Sequence, residues 1–185
     1  MSQVPVDNFT FEFPDQWQVV EYDKCAFYRD QSGHLQGTKA VDVLAIGDNL
    51  LFIIEATDCR KFRIENKNKD ASHELSLELA QKVRDTIAFL YGAYRNQTEK
   101  LRYFCDFLFA QTGRPKIKVV LLLEEDRPPT AHKSFEKARN ALRLAVKKKF
   151  KYLNVRPDLY SCANVPSSYG WSVRCQFRTE DENEA

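Results

Sequence analysis

Two rhythms of apolar residues divide this chain. Residues 17–30, WQVVEYDKCAFYRD, are rich in β-branched and aromatic side chains and predict strand, with a turn at Asp23-Lys24. Two more apolar runs, KAVDVLAI (39–46) and LLFIIEAT (50–57), flank Gly47-Asp48-Asn49, which is turn chemistry. Beyond residue 70 the period changes. Leu75, Leu79, Val83, Ile87 and Tyr91 recur every four residues, the stripe of an amphipathic helix. A second helix is predicted over TEKLRYFCDFLFAQTG, stopped by Gly113 and Pro115. KIKVVLLLEED (116–126) is a continuous apolar run of strand length, the pattern of a strand buried on both faces. After Pro128-Pro129 a basic helix is predicted over 131–151 on a stripe of Phe135, Ala138, Leu142 and Ala145, then a strand at WSVRCQF (171–177). The predicted order is βββ-α-α-β-α-β: an α/β fold with a mixed central sheet flanked by helices, in one domain over 1–178, with an acidic disordered tail over 179–185.

Composition narrows the class. With 185 residues, 43% hydrophobic and 29% charged, the chain can bury one real core. It holds no run of 18 apolar residues, so no membrane partner is expected. MSQVPVDNFTFEF lacks the basic and apolar regions of a signal peptide. Cysteines 25, 59, 105, 162 and 175 are odd in number, scattered, and form no CxxC pair. That pattern predicts a cytoplasmic, reducing setting and argues against a disulfide framework or a zinc site. Net charge is +2, from 28 basic and 26 acidic residues, which neither demands nor excludes nucleic acid. The charges are uneven, however: residues 133–156 carry one acid, Glu136, among many bases. Lys147, Lys148, Lys149 and Lys151 there form either a phosphate-binding surface acting by counterion release or a solvated face.

The candidate chemistry lies in the hairpin. A two-residue loop at Asp48-Asn49 pairs Gly47 with Leu50, Ile46 with Leu51, Leu44 with Ile53, and Asp42 with Glu55. Directly opposed residues share a face, with Cβ atoms about 4.5–5.5 Å apart. Two carboxylates would therefore sit side by side among apolar neighbours, where one pKa rises or a cation settles between them. Oxygen ligands so placed suit Mg²⁺. Exposed acids on a solvated edge strand are the alternative. The apolar character of both strands weighs against it.

Val41-Asp42, twelve intervening residues, then Glu55-Ala56-Thr57 resembles the PD-(D/E)XK nuclease superfamily. The string IIEATDCRKFRIENK also resembles members in which an acid-bearing strand runs into a basic, polar loop. The resemblance implies a restriction-endonuclease-like fold over about residues 17–126 and cleavage of DNA phosphodiesters with Mg²⁺ or Mn²⁺. It implies that Asp42, Glu55 and the backbone carbonyl of Ala56 hold the metal. The family lysine falls two residues beyond the glutamate, where this chain has Thr57. Lys39 falls opposite Asp58, on the other face. Lys61 shares Glu55's parity, but six extended residues span roughly 20 Å. Lys82, on the helix after the hairpin, ranks above Lys61 as a substitute. Without any lysine, the protein would be a catalytically degenerate relative that binds nucleic acid, a protein partner or a second copy of itself.

Other polar residues carry less. Glu21 is an additional acid near the hairpin, read first as an exposed strand residue. Glu124 and Glu125 are read as solvated acids at a strand end. His34, His73 and His132 show no ligand or triad spacing, and no cysteine has a nucleophile's local context.

Overall fold

Asp48 and Asn49 both adopt left-handed backbone, φ 49° and 58°, the conformation of a two-residue hairpin turn whose twist matches its strands. They join β4 (Val43–Gly47) to β5 (Leu50–Asp58) with Gly47 opposite Leu50, Leu44 opposite Ile53 and Val43 opposite Ile54. This is the register expected from the sequence. The computed structural model describes residues 1–60, 71–110, 113–125 and 132–176.

The hairpin is the middle of a five-stranded mixed sheet, β3-β4-β5-β6-β7, with β3 at Gln18–Glu21, β6 at Ile117–Glu124 and β7 at Asp158–Tyr160. β3 and β4 run antiparallel, as do β4 and β5; β6 and β7 continue parallel to β5. A separate antiparallel sheet contains β1 (Ser2–Val6), β2 (Phe9–Phe13) and β8 (Ser172–Cys175). The helices are α1 (Ala26–Ser32), α2 (Ala71–Arg95), the short α3 (Arg102–Cys105) and α4 (His132–Lys149).

Strand alternation sorts the core into two layers. Leu44, Leu51, Ile53, Val119, Leu121 and Leu123 point to one face and pack with Tyr28, Leu79, Val83, Phe104, Leu142 and Val146 of the four helices. Val43, Ala45, Phe52, Ile54, Val120 and Leu122 point to the other and pack with Phe9, Phe11, Phe13 and Val173 of the small sheet. The class is α/β, as expected, but these helices lie on one face and the other is covered by strands.

Several element assignments differ from expectation. Phe9, Phe11 and Phe13 alternate inward, so the N-terminal segment is a hairpin. The aromatic run 17–30 is strand only to Glu21, and α1 follows. β4 begins at Val43, so Lys39 has no strand partner; it pairs instead with Glu78 of α2 at 2.8 Å. A strict four-residue stripe advances 40° per step around a helix of 3.6 residues per turn (~400° per four residues). Tyr91 has accordingly rotated into solvent, and burial continues at Leu90 and Ala93. In α4 the buried line is Arg139, Leu142 and Val146, with Ala138 exposed. Cys162 and Cys175 are joined by a disulfide, against the expectation from cysteine spacing. Expectations for the tail 179–185 fall outside the described residues.

One close approach makes a prediction. A Cβ built on Gly47 would lie 1.8 Å from Trp17 Cε2, and Trp17 is itself wedged against Phe52 with ring centroids 5.7 Å apart. Gly47→Ala is expected to destabilise the fold by about 1–3 kcal/mol through overpacking, read as a lower urea midpoint.

Candidate metal centre

The β4–β5 ladder ends at Val43–Ile54, which leaves the Ala56 N–H without a partner on β4. Asp42 supplies one: the Ala56 N–H donates to its Oδ2 at 2.7 Å. The Asp42 carboxylate thus turns across the mouth of the hairpin, while its carbonyl accepts from the Tyr22 N–H at 2.7 Å and prolongs the β3 pairing. Glu55 shares the face of Leu51 and Ile53, which α2 covers. Both acids are buried, at 8% and 5% exposure.

Helix α2 is fastened above this pair by its own polar line. Asp85 and Thr86 accept the Lys39 and Val41 N–H groups at 3.2 Å each, and Gln81 donates to the Gly37 carbonyl at 3.1 Å. The same face carries Lys82, whose Nζ donates to Glu55 Oε1 at 2.5 Å with only 19% of the side chain exposed. Lys82 therefore reaches the glutamate from the helix, the substitute ranked first in the sequence. Thr57 lies two residues along β5 on the same face, and Lys61 falls outside the described residues.

The electrostatics of the pair are unsatisfied. Burial pushes the Asp42 carboxyl up to about 6, against the pull of the Ala56 N–H and of Lys82. Burial, with repulsion from Asp42, pushes Glu55 up to about 8, and Lys82 opposes this only in part. Burial works against the Lys82 ammonium too, but the charge and hydrogen bond of Glu55 hold it above its ordinary range. Glu55 Oε2 is buried with no hydrogen-bond partner among the described residues. An orphaned carboxylate oxygen, a second acid beside it and oxygen-only donors fit a hard divalent cation. Asp42, Glu55 and the Ala56 carbonyl, on the same strand edge as the amide that Asp42 caps, are the residues that would hold it.

The sequence missed Asp23. It follows β3, directly after Tyr22, and its Oδ1 is buried without a partner among the described residues. Burial, with Glu21 adding repulsion, raises its carboxyl; Lys24 pulls the other way, and Lys82 adds to that pull, which ties Asp23 to the field of the pair. The polar break at Asp23-Lys24 was its only signal. Glu21, opposite Val43 on the other face of the sheet, pairs with Lys24 at 2.6 Å and lies outside the centre.

Lys147, Lys148 and Lys149 end α4, and Lys151 opens the short turn that follows it. Lys147, Lys148 and Lys151 are exposed and Lys149 is half-buried; α4 packs along α2, on the helical side of the sheet. Cations in a last helical turn also complement the helix dipole, which gives them a structural role independent of any ligand. Glu124 and Glu125 are not the solvated acids expected. Glu124 accepts the Cys162 N–H at 2.5 Å, and Glu125 lies 3.6 Å from the buried Arg139.

No helix among the described residues is long and apolar enough to cross a membrane. No family model matches the chain, and no solved structure matches it. Among curated proteins it is similar to the cysteine–tRNA ligase of Neisseria meningitidis serogroup A / serotype 4A (strain DSM 15465 / Z2491), at 24% identity over 195 aligned positions. That alignment takes in 90% of this chain, and the chain spans only 27% of the ligase's length.

Proposed function

We propose that this protein is a PD-(D/E)XK-type, Mg²⁺-dependent nuclease with a restriction-endonuclease-like core, acting on DNA phosphodiesters. The observation that carries the reading is the 2.5 Å contact of Lys82 with Glu55, beside Asp42. It supplies, from a helix, the cation that Thr57 cannot. A bound Mg²⁺ would polarise the scissile phosphate and make its water a better nucleophile. Asp42 and Glu55 present the oxygens for that ion, and the Ala56 amide fixes the Asp42 rotamer. Lys82, kept protonated by Glu55, offers positive charge where a phosphoryl group would gain negative charge. Lys147, Lys148, Lys149 and Lys151 would add sequence-independent affinity for the backbone.

The test incubates supercoiled plasmid, linear duplex and RNA with the protein and Mg²⁺ or Mn²⁺. Transfer RNA belongs in the RNA set because the name of the similar ligase contains it. The expected result is metal-dependent strand cleavage that falls at least about 10²-fold in Lys82→Ala, the size typical of a positioned acid–base or charge-stabilising group. Equal rates for Lys82→Ala and wild type would remove Lys82 from the mechanism.

A second reading rests on the burial of both acids and the occupation of Glu55 by a lysine. In that reading the chain is a catalytically degenerate nuclease fold serving as a nucleic-acid- or protein-binding module, or as a homodimer. Calorimetry separates the two: the enzyme needs an Mg²⁺ site that disappears with Asp42, and the degenerate module has none.

A further inference from the structure

Glu124, Cys162 and Cys175 meet on the face of the main sheet opposite the carboxylate pair. Glu124 ends β6 in step with Val120 and Leu122, which face the small sheet, whereas Glu55 faces α2. Cys162 follows β7, and Cys175 ends β8 in the other sheet. Three separate elements thus converge on one point. One ligand atom from each of the three residues lies within 4.8 Å of both others. The Glu124 carboxylate is already oriented by the Cys162 N–H at 2.5 Å. All three residues are half-buried, so an ion can reach them.

We propose that Glu124, Cys162 and Cys175 form a thiolate–carboxylate site for a borderline-soft divalent cation of the Zn²⁺ class, which the Cys162–Cys175 disulfide closes. The donor set decides the metal. Two thiolates select Zn²⁺ over Mg²⁺, and with one carboxylate oxygen they fill three tetrahedral positions, leaving the fourth for water. In the oxidised chain both sulfurs are bonded to each other and neither is a thiolate. Reduction by a dithiol transfers two electrons and two protons to the S–S bond, giving two thiols, and the reductant becomes a cyclic disulfide. Zn²⁺ then displaces the two thiol protons as it binds. The site is invisible in the sequence because the cysteines stand 13 positions apart and Glu124 stands 38 positions from Cys162.

The experiment uses the full chain, reduced with dithiothreitol, freed of it anaerobically, and titrated with Co²⁺ and Zn²⁺. One equivalent of Co²⁺ should give a thiolate-to-cobalt charge-transfer band in the near ultraviolet, which Zn²⁺ then abolishes. The oxidised chain should give no band. Glu124→Gln should weaken the site by about tenfold or more, and Cys162→Ser should lose the band. Asp42→Ala should keep it, which separates this site from the proposed nuclease centre. No band in the reduced wild type, or one that survives in Cys162→Ser, overturns the proposal. The oxidised wild type serves as the folded control where a cysteine variant fails to fold.

Discussion

On the proposed nuclease reading, Asp42→Asn is expected to eliminate metal-dependent cleavage and leave the fold standing, whereas Asp42→Ala is expected to eliminate both that cleavage and part of the stability. The distinction follows from the two roles of one carboxylate. In the proposed site its charge would serve the cation, and loss of that charge is expected to cost at least about 10²–10³-fold in rate, the range seen when one electrostatic stabiliser is removed. Its Oδ2 also takes the Ala56 N–H at 2.7 Å, and β4 has no strand residue to replace it. An asparagine oxygen can still accept that hydrogen bond. An alanine leaves a buried amide unpaired, at about 1–3 kcal/mol. Parallel cleavage assays and urea titrations of both variants check this. Retained activity in Asp42→Asn would exclude Asp42 as a metal ligand.

The metal-free protein should lose stability as pH rises from 5 to 8.5, opposite to the usual behaviour of paired surface acids. Asp42 moves from 3.8 to about 6 on folding and Glu55 from 4.5 to about 8, so the folded state holds these protons more tightly. Their contribution is complete below the unfolded values and is lost as pH rises first through about 6 and then through about 8. Asp58, held down at about 2 chiefly by Arg60, is ionised throughout this window and does not alter the slope. The loss should reach a few kcal/mol, a fall in melting temperature of about 5 °C or more. If the pair is the proposed metal site, Mn²⁺ should restore the lost stability, most strongly at the alkaline end, because the ion would bind the deprotonated pair. Glu55→Gln should flatten the upper part of the profile. Differential scanning fluorimetry across buffers, with and without Mn²⁺, reads all of this. A flat metal-free profile would show that the two carboxylates are solvated.

The hairpin was legible in the sequence because its turn is chemically specific. Asp-Asn tolerates left-handed backbone at both positions, which leaves one register and therefore one partner for Glu55. Lys82 was legible as a candidate because α2 has a clear apolar line to count from. Asp23 was not, because an aromatic-rich segment that turns from strand to helix at Cys25 carries the same β-branched and aromatic signal throughout. The small sheet was hidden for a different reason. β2 pairs with β8 across most of the chain's length, and no local pattern encodes so distant a partner. The same separation hid the disulfide and Glu124 beside it.

That long-range pairing has a mechanical consequence. β1 and β2 come from the first described residues and β8 from near the last of them, so the two are held together in the three-stranded sheet. Tension applied between them loads that sheet and, through the Cys162–Cys175 disulfide, the segment after β7, whereas the carboxylate pair, on the helical side of the main sheet, lies outside the direct line of force. A load entering at β1 or β8 would pull on the strand layer while α2 and Lys82 kept their grip on Glu55.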